Sequence, residues 1–398
     1  MHQTSGAFGR EVDIPLPDDF HIHLRQGLPL TTYTRDAALA FGRVLVMPNT
    51  NPPIRIPREV QKYRERIVTA ARGARGFREN VSGATSTEPA ARGARGGTEN
   101  ASGATSTEPA ESGTQVFQPL MTFYIDSEQR REEIQALADA GVVAGKLYPK
   151  HATTNSAFGV ARVEDAYSAF EAMEELGLVL CIHGEVPGAF VLDREQAFLP
   201  SLERIAARFP RLRIVLEHVT SAAGVTAVRA LPENVAATIT VHHLMFTLDD
   251  VVGEAIRPHN FCKPIAKRPD DLEVIREAAF SGDRKFFFGS DSAPHTVDAK
   301  ECDAGCAGVY SAPTAVPLLL ELFERYSDLD SFVAFTARNG AGFYELPYTD
   351  VIARYSRRPW TVSGRYNDVV PLAAGSTLEW RENGRRKVDG PAQAEVHK

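Results

Sequence analysis

The sequence predicts an α/β fold, a (β/α)8 barrel, on three observations. Short β-rich runs recur eight times along the 398 residues. Amphipathic stretches with helical spacing separate most of them. Several runs, such as Leu178-Val179-Leu180-Cys181-Ile182, are apolar throughout, which suits strands covered on both faces. Strands alternating with helices build right-handed parallel units, and eight such units close on themselves more readily than they form an open sheet.

Taken in order, the predicted strands are Glu11–Leu24, Arg43–Pro48, Val116–Ile125, Val142–Tyr148, Leu178–His183, Arg213–His218, Ala236–His243 and Lys285–Gly289. Helical patterns fill Ser127–Ala140, Val163–Leu176, Leu202–Phe209 and Asp270–Ala279, and another begins near Arg58. One barrel domain is expected over residues 10–385, with a polar tail over 386–398. Residues 71–90 and 91–110 are near-copies, matching at 17 of 20 positions. Their Ser, Thr, Gly, Ala and Arg cannot build a core, so residues 71–112 read as a disordered insertion in the connection after the second strand. A return connection reaches the bottom of a barrel, away from the mouth.

Composition narrows the function classes. Apolar content of 43% and charged content of 24% are those of an ordinary soluble domain. A net charge of −7 gives no reason to expect nucleic acid as a partner. No run approaches the length of a membrane span, and no basic-then-apolar leader opens the chain. Four cysteines, at 181, 262, 302 and 306, make no disulfide framework, and Cys302 with Cys306 is read as a plain thiol-bearing loop. A soluble, cytoplasmic protein is expected.

The chemistry sits where the strands end. His21 and His23 share one strand face, with Ile22 on the other, and could chelate a metal ion. The fourth strand ends near Lys146, the fifth in His183, the sixth in His218 and the eighth just before Asp291. In a barrel of this kind those ends converge on one mouth, so the six residues point to a metal site. A protonated lysine cannot be a ligand. Lys146 is therefore either a salt-bridge partner beside the site or a carbamate formed with CO2. His242 or His243 could also line the pocket.

Several motifs are similar to those of class II dihydroorotases in the amidohydrolase superfamily. They are DDFHIHLRQG at 18–27, VLVMPNT at 44–50, GKLYPKHATTN at 145–155, IHGEV at 182–186 and LEHVT at 216–220. ATITVHHLMF at 237–246, FCKPIAKR at 261–268, GSDSAPH at 289–295 and CAGVYSAPTA at 306–315 complete the set. The resemblance implies two zinc ions per subunit, with His21, His23 and Asp291 on one, His183 and His218 on the other, and Lys146 as a carboxylated bridge. It implies a bridging hydroxide as nucleophile and Asp291 as the catalytic proton shuttle. Arg25, Asn49 and His295 would hold the substrate carboxylate, and Leu244 and Ala307 would add backbone contacts. Thr153 and Thr154 would lie on a loop closing over the substrate, carbamoyl aspartate or dihydroorotate. A homodimer is implied as well. Dihydropyrimidinases, hydantoinases and allantoinases can share the metal set; the clamp of Arg25, Asn49 and His295 speaks against them. A scaffold that had lost the chemistry would lack ligands, and none is missing here.

Overall fold

The structure, a computed structural model, describes residues 8–73 and 117–397. Eight parallel strands form one sheet in sequential order. They are β2 (Asp18–Ile22), β3 (Arg43–Val46), β4 (Gln118–Tyr124), β5 (Val142–Leu147), β6 (Val179–Ile182), β7 (Ile214–Leu216), β8 (Val235–Ile239) and β9 (Phe286–Phe288). Helices such as Pro57–Gly73, Tyr167–Leu176 and Ala222–Ala230 return the chain between them. Ser221 caps the last of these, its Oγ accepting from Gly224 N at 3.0 Å and satisfying an amide the helix cannot. The expected (β/α)8 barrel is present.

Glu11–Leu24, expected as one strand, is two. β1 (Glu11–Pro15) belongs to a second, four-stranded sheet with β10 (Val351–Thr361), β11 (Thr377–Lys387) and β12 (Glu395–His397). Pro15 and Pro17 lack the N–H a ladder needs, so the chain leaves one sheet between them and enters the other. The stretch expected as a polar tail from 386 includes β12, which pairs antiparallel with β1. No described helix is long and apolar enough to cross a membrane.

The core has two parts. The larger lies between barrel and helices; the smaller fills the barrel itself with Phe20, Leu45, Met47, Leu120, Ala144, Val179, Cys181, Val215, Ala236, Phe287 and Tyr344. A large side chain buried this way stabilises by about 2–3 kcal/mol. This plug seals the barrel below the mouth. The duplicated stretch, from residue 74 on, lies outside the described residues. Its flanks are the C-terminal end of helix Pro57–Gly73 and the entry to β4, both at the end of the barrel away from the strand C-termini. Removing one copy, residues 91–110, is expected to leave kcat and KM within about three-fold. Steady-state kinetics of the shortened chain checks this, and a larger loss in a protein that melts normally would refute it.

Candidate active site

Alternation along each strand raises polar groups directly above the plug. From Ala144 the chain steps two residues to Lys146, from Cys181 to His183, from Val215 to Glu217 and from Ala236 to Thr238. β2 needs a correction to the same rule, because Phe20 is in the plug and simple alternation would turn His21 outward. The β2–β3 ladder pairs Asp19 with Val44 but Ile22 with Val46, three steps against two. This bulge re-aims the strand, so His21 and His23 both reach the mouth while Ile22 packs in the outer core.

The site's own backbone closes the barrel between β2 and β9. Asp291 N donates to His21 O at 2.8 Å, and His23 N donates to Ser292 O at 3.0 Å. Beneath them Asp19 accepts from Ser290 N at 2.7 Å and Ser290 Oγ at 2.6 Å. The approach is so close that a Cβ on Gly289 would lie 2.9 Å from His21 Cβ. Arg25, His218 and Asp291 all adopt positive φ, at 58°, 44° and 42°. Each costs about 1–2 kcal/mol for a residue with a Cβ, and the three side chains meet at one cleft.

Four imidazoles run in sequence across the mouth. Ring centroids lie 5.3 Å apart from His23 to His21, 5.1 Å from His21 to His218 and 4.8 Å from His218 to His183. Asp291 Oδ1 stands 3.0 Å from His23 Nε2 and 3.5 Å from His21 Nε2, so three ligand atoms face one point. His21 Nδ1 donates to Glu217 Oε2 at 2.8 Å, and Thr238 Oγ1 donates to the same oxygen at 2.6 Å. His21 Nε2 is thereby left with a bare lone pair. His183 Nε2 donates to Glu185 Oε2 at 2.7 Å, which reserves Nδ1 as the ligand atom.

These residues fit a metal centre. Burial holds the His23 imidazole down to about 4 and His218 well below the usual range, keeping both in the neutral form that ligates. Burial works against the Asp291 charge, but its hydrogen bond to His23 and the neighbouring imidazoles keep the carboxylate well below its ordinary range. Lys146 Nζ and His218 Nδ1 are buried with no hydrogen-bond partner. Burial also lowers the Lys146 amine, against the pull of Glu217. Glu217→Gln is expected to weaken metal binding about 10–100-fold by releasing the His21 ring. Competition with a chromophoric chelator measures this; unchanged affinity would mean that Glu217 does not orient the ligand.

A cleft opens above this array, lined by His23, Arg25, Asn49, Tyr148, Thr153, Thr154, His183, His218, Lys263, Asp291, Ala293, Ala307 and Gly308. Arg25 Nε donates to Pro294 O at 3.1 Å, and Nη2 donates to His295 Nε2 at 2.8 Å. His295 is held down to about 3 by burial and by the charges of Arg25 and Lys300, so it accepts from the arginine as a neutral ring. Asn49 Nδ2 donates to Thr154 O at 3.1 Å and Asn49 O accepts from Asn155 Nδ2 at 2.9 Å, which docks the Thr153–Thr154 loop against the cleft.

This arrangement has relatives. An amidohydrolase family model matches residues 19–300. The dihydroorotase of Pseudomonas aeruginosa (strain UCBPP-PA14) is 41% identical over 373 residues, covering 92% of this chain and 96% of that protein. The crystal structure of dihydroorotase from Campylobacter jejuni superposes with a TM-score of 0.78 at 33% identity, covering 96% of this chain and 99% of that one. Dihydroorotase from Saccharomyces cerevisiae, solved with 5-fluoroorotic acid, gives 0.77 at 31% identity, covering 96% and 100%. The chain belongs to the dihydroorotases of the amidohydrolase family.

Within this dihydroorotase cleft, not every expected residue is at the surface. His21 and Lys146 lie beneath the lining as buried groups, and His295 stands behind Arg25. Leu244 does not line the cleft. β8 ends at Ile239, and His242–Leu244 winds into a 3-10 turn where Arg276 Nε donates to Leu244 O at 2.8 Å. Lys263, inside the FCKPIAKR motif, supplies wall instead. His242 and His243 are buried away from the lining, with His243 between Thr240 Oγ1 at 2.9 Å and Pro264 O at 3.0 Å. Cys302 is an exposed free thiol. Glu217, Glu185, Tyr148 and Lys263 were not anticipated. The two carboxylates carry a signal in the motifs, since each lies within two residues of a candidate ligand histidine.

Proposed function

We propose that this cleft interconverts dihydroorotate and N-carbamoyl-L-aspartate with two zinc ions per subunit. The supporting observation is the Arg25–His295 pair opening onto the same cleft as the imidazole array. His21, His23 and Asp291 would hold one ion and His183 and His218 the other, with Lys146 carboxylated between them. When bound, the ions polarise the amide carbonyl and acidify water, as paired cations do in hydrolytic sites. Zinc, the carboxylated lysine and a cytoplasmic homodimer are the finer parts of this reading and rest on the donor set and the family.

The chain's own groups do the rest. Arg25 grips the planar substrate carboxylate, with its orientation fixed through Nε and Nη2 by Pro294 O and His295. Asn49 and the docked Thr153–Thr154 loop cover the bound ring and exclude bulk water, which strengthens each charged contact inside. Asp291 turns Oδ1 toward His21 and His23, leaving Oδ2 to carry the proton to the ring nitrogen as the amide opens. Cyclisation runs the same transfer backwards. Ala307 and Leu244 would supply backbone contacts to the substrate.

The test is turnover of dihydroorotate against dihydrouracil and hydantoin, with bound zinc measured on the same preparation. Dihydroorotate is expected to be preferred by orders of magnitude, with about two zinc ions per chain. Preference for either uncharged ring would overturn the assignment.

A further inference from the structure

We infer that Lys300 is a positioning residue for the substrate, one buried ammonium that joins the two backbone segments forming a continuous piece of the cleft wall. This rests on the dihydroorotase reading of the cleft. Lys300 closes the short helix Val297–Lys300 and is 3% exposed. Its Nζ donates to Gly308 O at 2.6 Å and to Phe261 O at 2.9 Å. Phe261 O also accepts from Gly308 N at 2.9 Å. Lys263 lies two residues beyond Phe261, Ala307 one before Gly308, and both line the cleft.

Among the described residues no carboxylate forms an ion pair with Lys300. A buried ammonium compensated only by carbonyls is costly, and the chemistry at the metal ligands makes no use of it. Its partners say what it does. Ala307 is held on one side by Cys306 N donating to Ala299 O at 2.8 Å and on the other by Gly308, and the backbone at Ala307 also receives a hydrogen bond from His295. Gly308 has a φ of 151°, and a Cβ there would lie 2.4 Å from Ala293 O, so the wall has no slack in which to find another arrangement. Lys300 thus fixes the backbone that meets the substrate and adds positive potential beside Arg25 for an anionic ring.

The groups facing it are the Cys262 thiol from the Phe261 segment, the Cys306 thiol from its own loop, Arg25 and His295 from the clamp, and His242 behind the wall. Burial pulls the Lys300 amine down to about 8, with Arg25 adding to the shift and the two cysteines opposing it. The charged clamp is therefore complete below that pH and lost above it.

The experiment uses orotate, the ring-unsaturated analogue with the same carboxylate, bound to the zinc-loaded protein in a calorimeter, beside dihydroorotate kinetics. Lys300→Met is expected to raise the orotate Kd and the dihydroorotate KM roughly 10–30-fold with kcat within about three-fold. Lys300→Arg, which can donate to both carbonyls, is expected to stay within about three-fold of wild type at neutral pH. The wild-type Kd should rise above about pH 8, while both variants should be flat from about pH 7 to 9.5. An unchanged Kd in a Lys300→Met protein that melts normally would overturn the proposal, as would an alkaline rise that persists in either variant. Should Lys300→Met fail to fold, the profile of Lys300→Arg decides alone. Wild-type protein that neither binds orotate nor turns over dihydroorotate would refute the underlying reading; wild-type binding that the variants leave unmoved refutes only the role of Lys300.

Discussion

Replacing Lys146 by alanine is expected to lower dihydroorotate turnover by at least about 10⁴-fold, on the order of 5.5 kcal/mol of transition-state stabilisation. Lys146 is fully buried, and its Nζ has no hydrogen-bond partner, only the Tyr148 ring 5.5 Å away. An orphaned amine buried within influence of His218 is either an uncorrected cost or a precursor. Burial favours the neutral amine, the form that attacks CO2: a nitrogen–carbon bond forms, a proton leaves, and a carboxylate-like anion remains. That anion would satisfy the orphan and add an oxygen donor to the imidazole ligands that would hold the ions. Because the bare amine makes no bond, Lys146→Ala should melt within a few degrees of wild type, separating chemistry from folding. Acetate or propionate should restore part of the activity, and the zinc content should fall. Full activity in the variant would refute a lysine-derived bridge.

The barrel was legible because period-2 alternation and apolar runs report strands buried on both faces. That four histidines and Asp291 come together was legible because they fall at the ends of those runs, which the barrel gathers at one mouth. What escaped were features set by tertiary geometry. The β2 bulge that turns His21 inward leaves no mark in DDFHIH, since bulged and unbulged strands share composition. β10 and β11 hid because arginines interrupt their apolar pattern; half-buried Arg354 and Arg357 and exposed Arg381 belong to strands whose inner face holds Tyr355 and Trp380. Around Leu244 the end of β8 winds into a 3-10 turn, and which backbone groups such a turn presents is not written in the side chains of ATITVHHLMF. Lys300 meets the backbone carbonyls of Phe261 and Gly308, a partnership that side-chain chemistry read from a sequence does not reveal.

On the proposed reading Arg25 carries the substrate preference, and its replacement should show this more sharply than that of any metal ligand. Its guanidinium is half-buried, braced by Pro294 O and His295, and held on a backbone whose carbonyl accepts from Tyr63 Oη. The left-handed φ of 58° at Arg25 turns the side chain back over the mouth immediately after the His21–His23 pair. Two of its donors are spent on bracing, which leaves the others for a carboxylate. Lysine cannot reproduce this, since one ammonium cannot be braced and bidentate at once. Arg25→Lys is therefore expected to lower kcat/KM for dihydroorotate about 10²–10³-fold, roughly 3–4 kcal/mol, in the range for breaking a buried charged pair. Dihydrouracil lacks the carboxylate and should be turned over at nearly the wild-type rate, so the preference between the two rings collapses by the same factor. An equal loss on both substrates would show instead that Arg25 supports the architecture of the mouth, moving His23 and Asp291 through its contacts with Pro294 and His295. The ratio of the two kcat/KM values, and not either one alone, distinguishes a clamp from a brace.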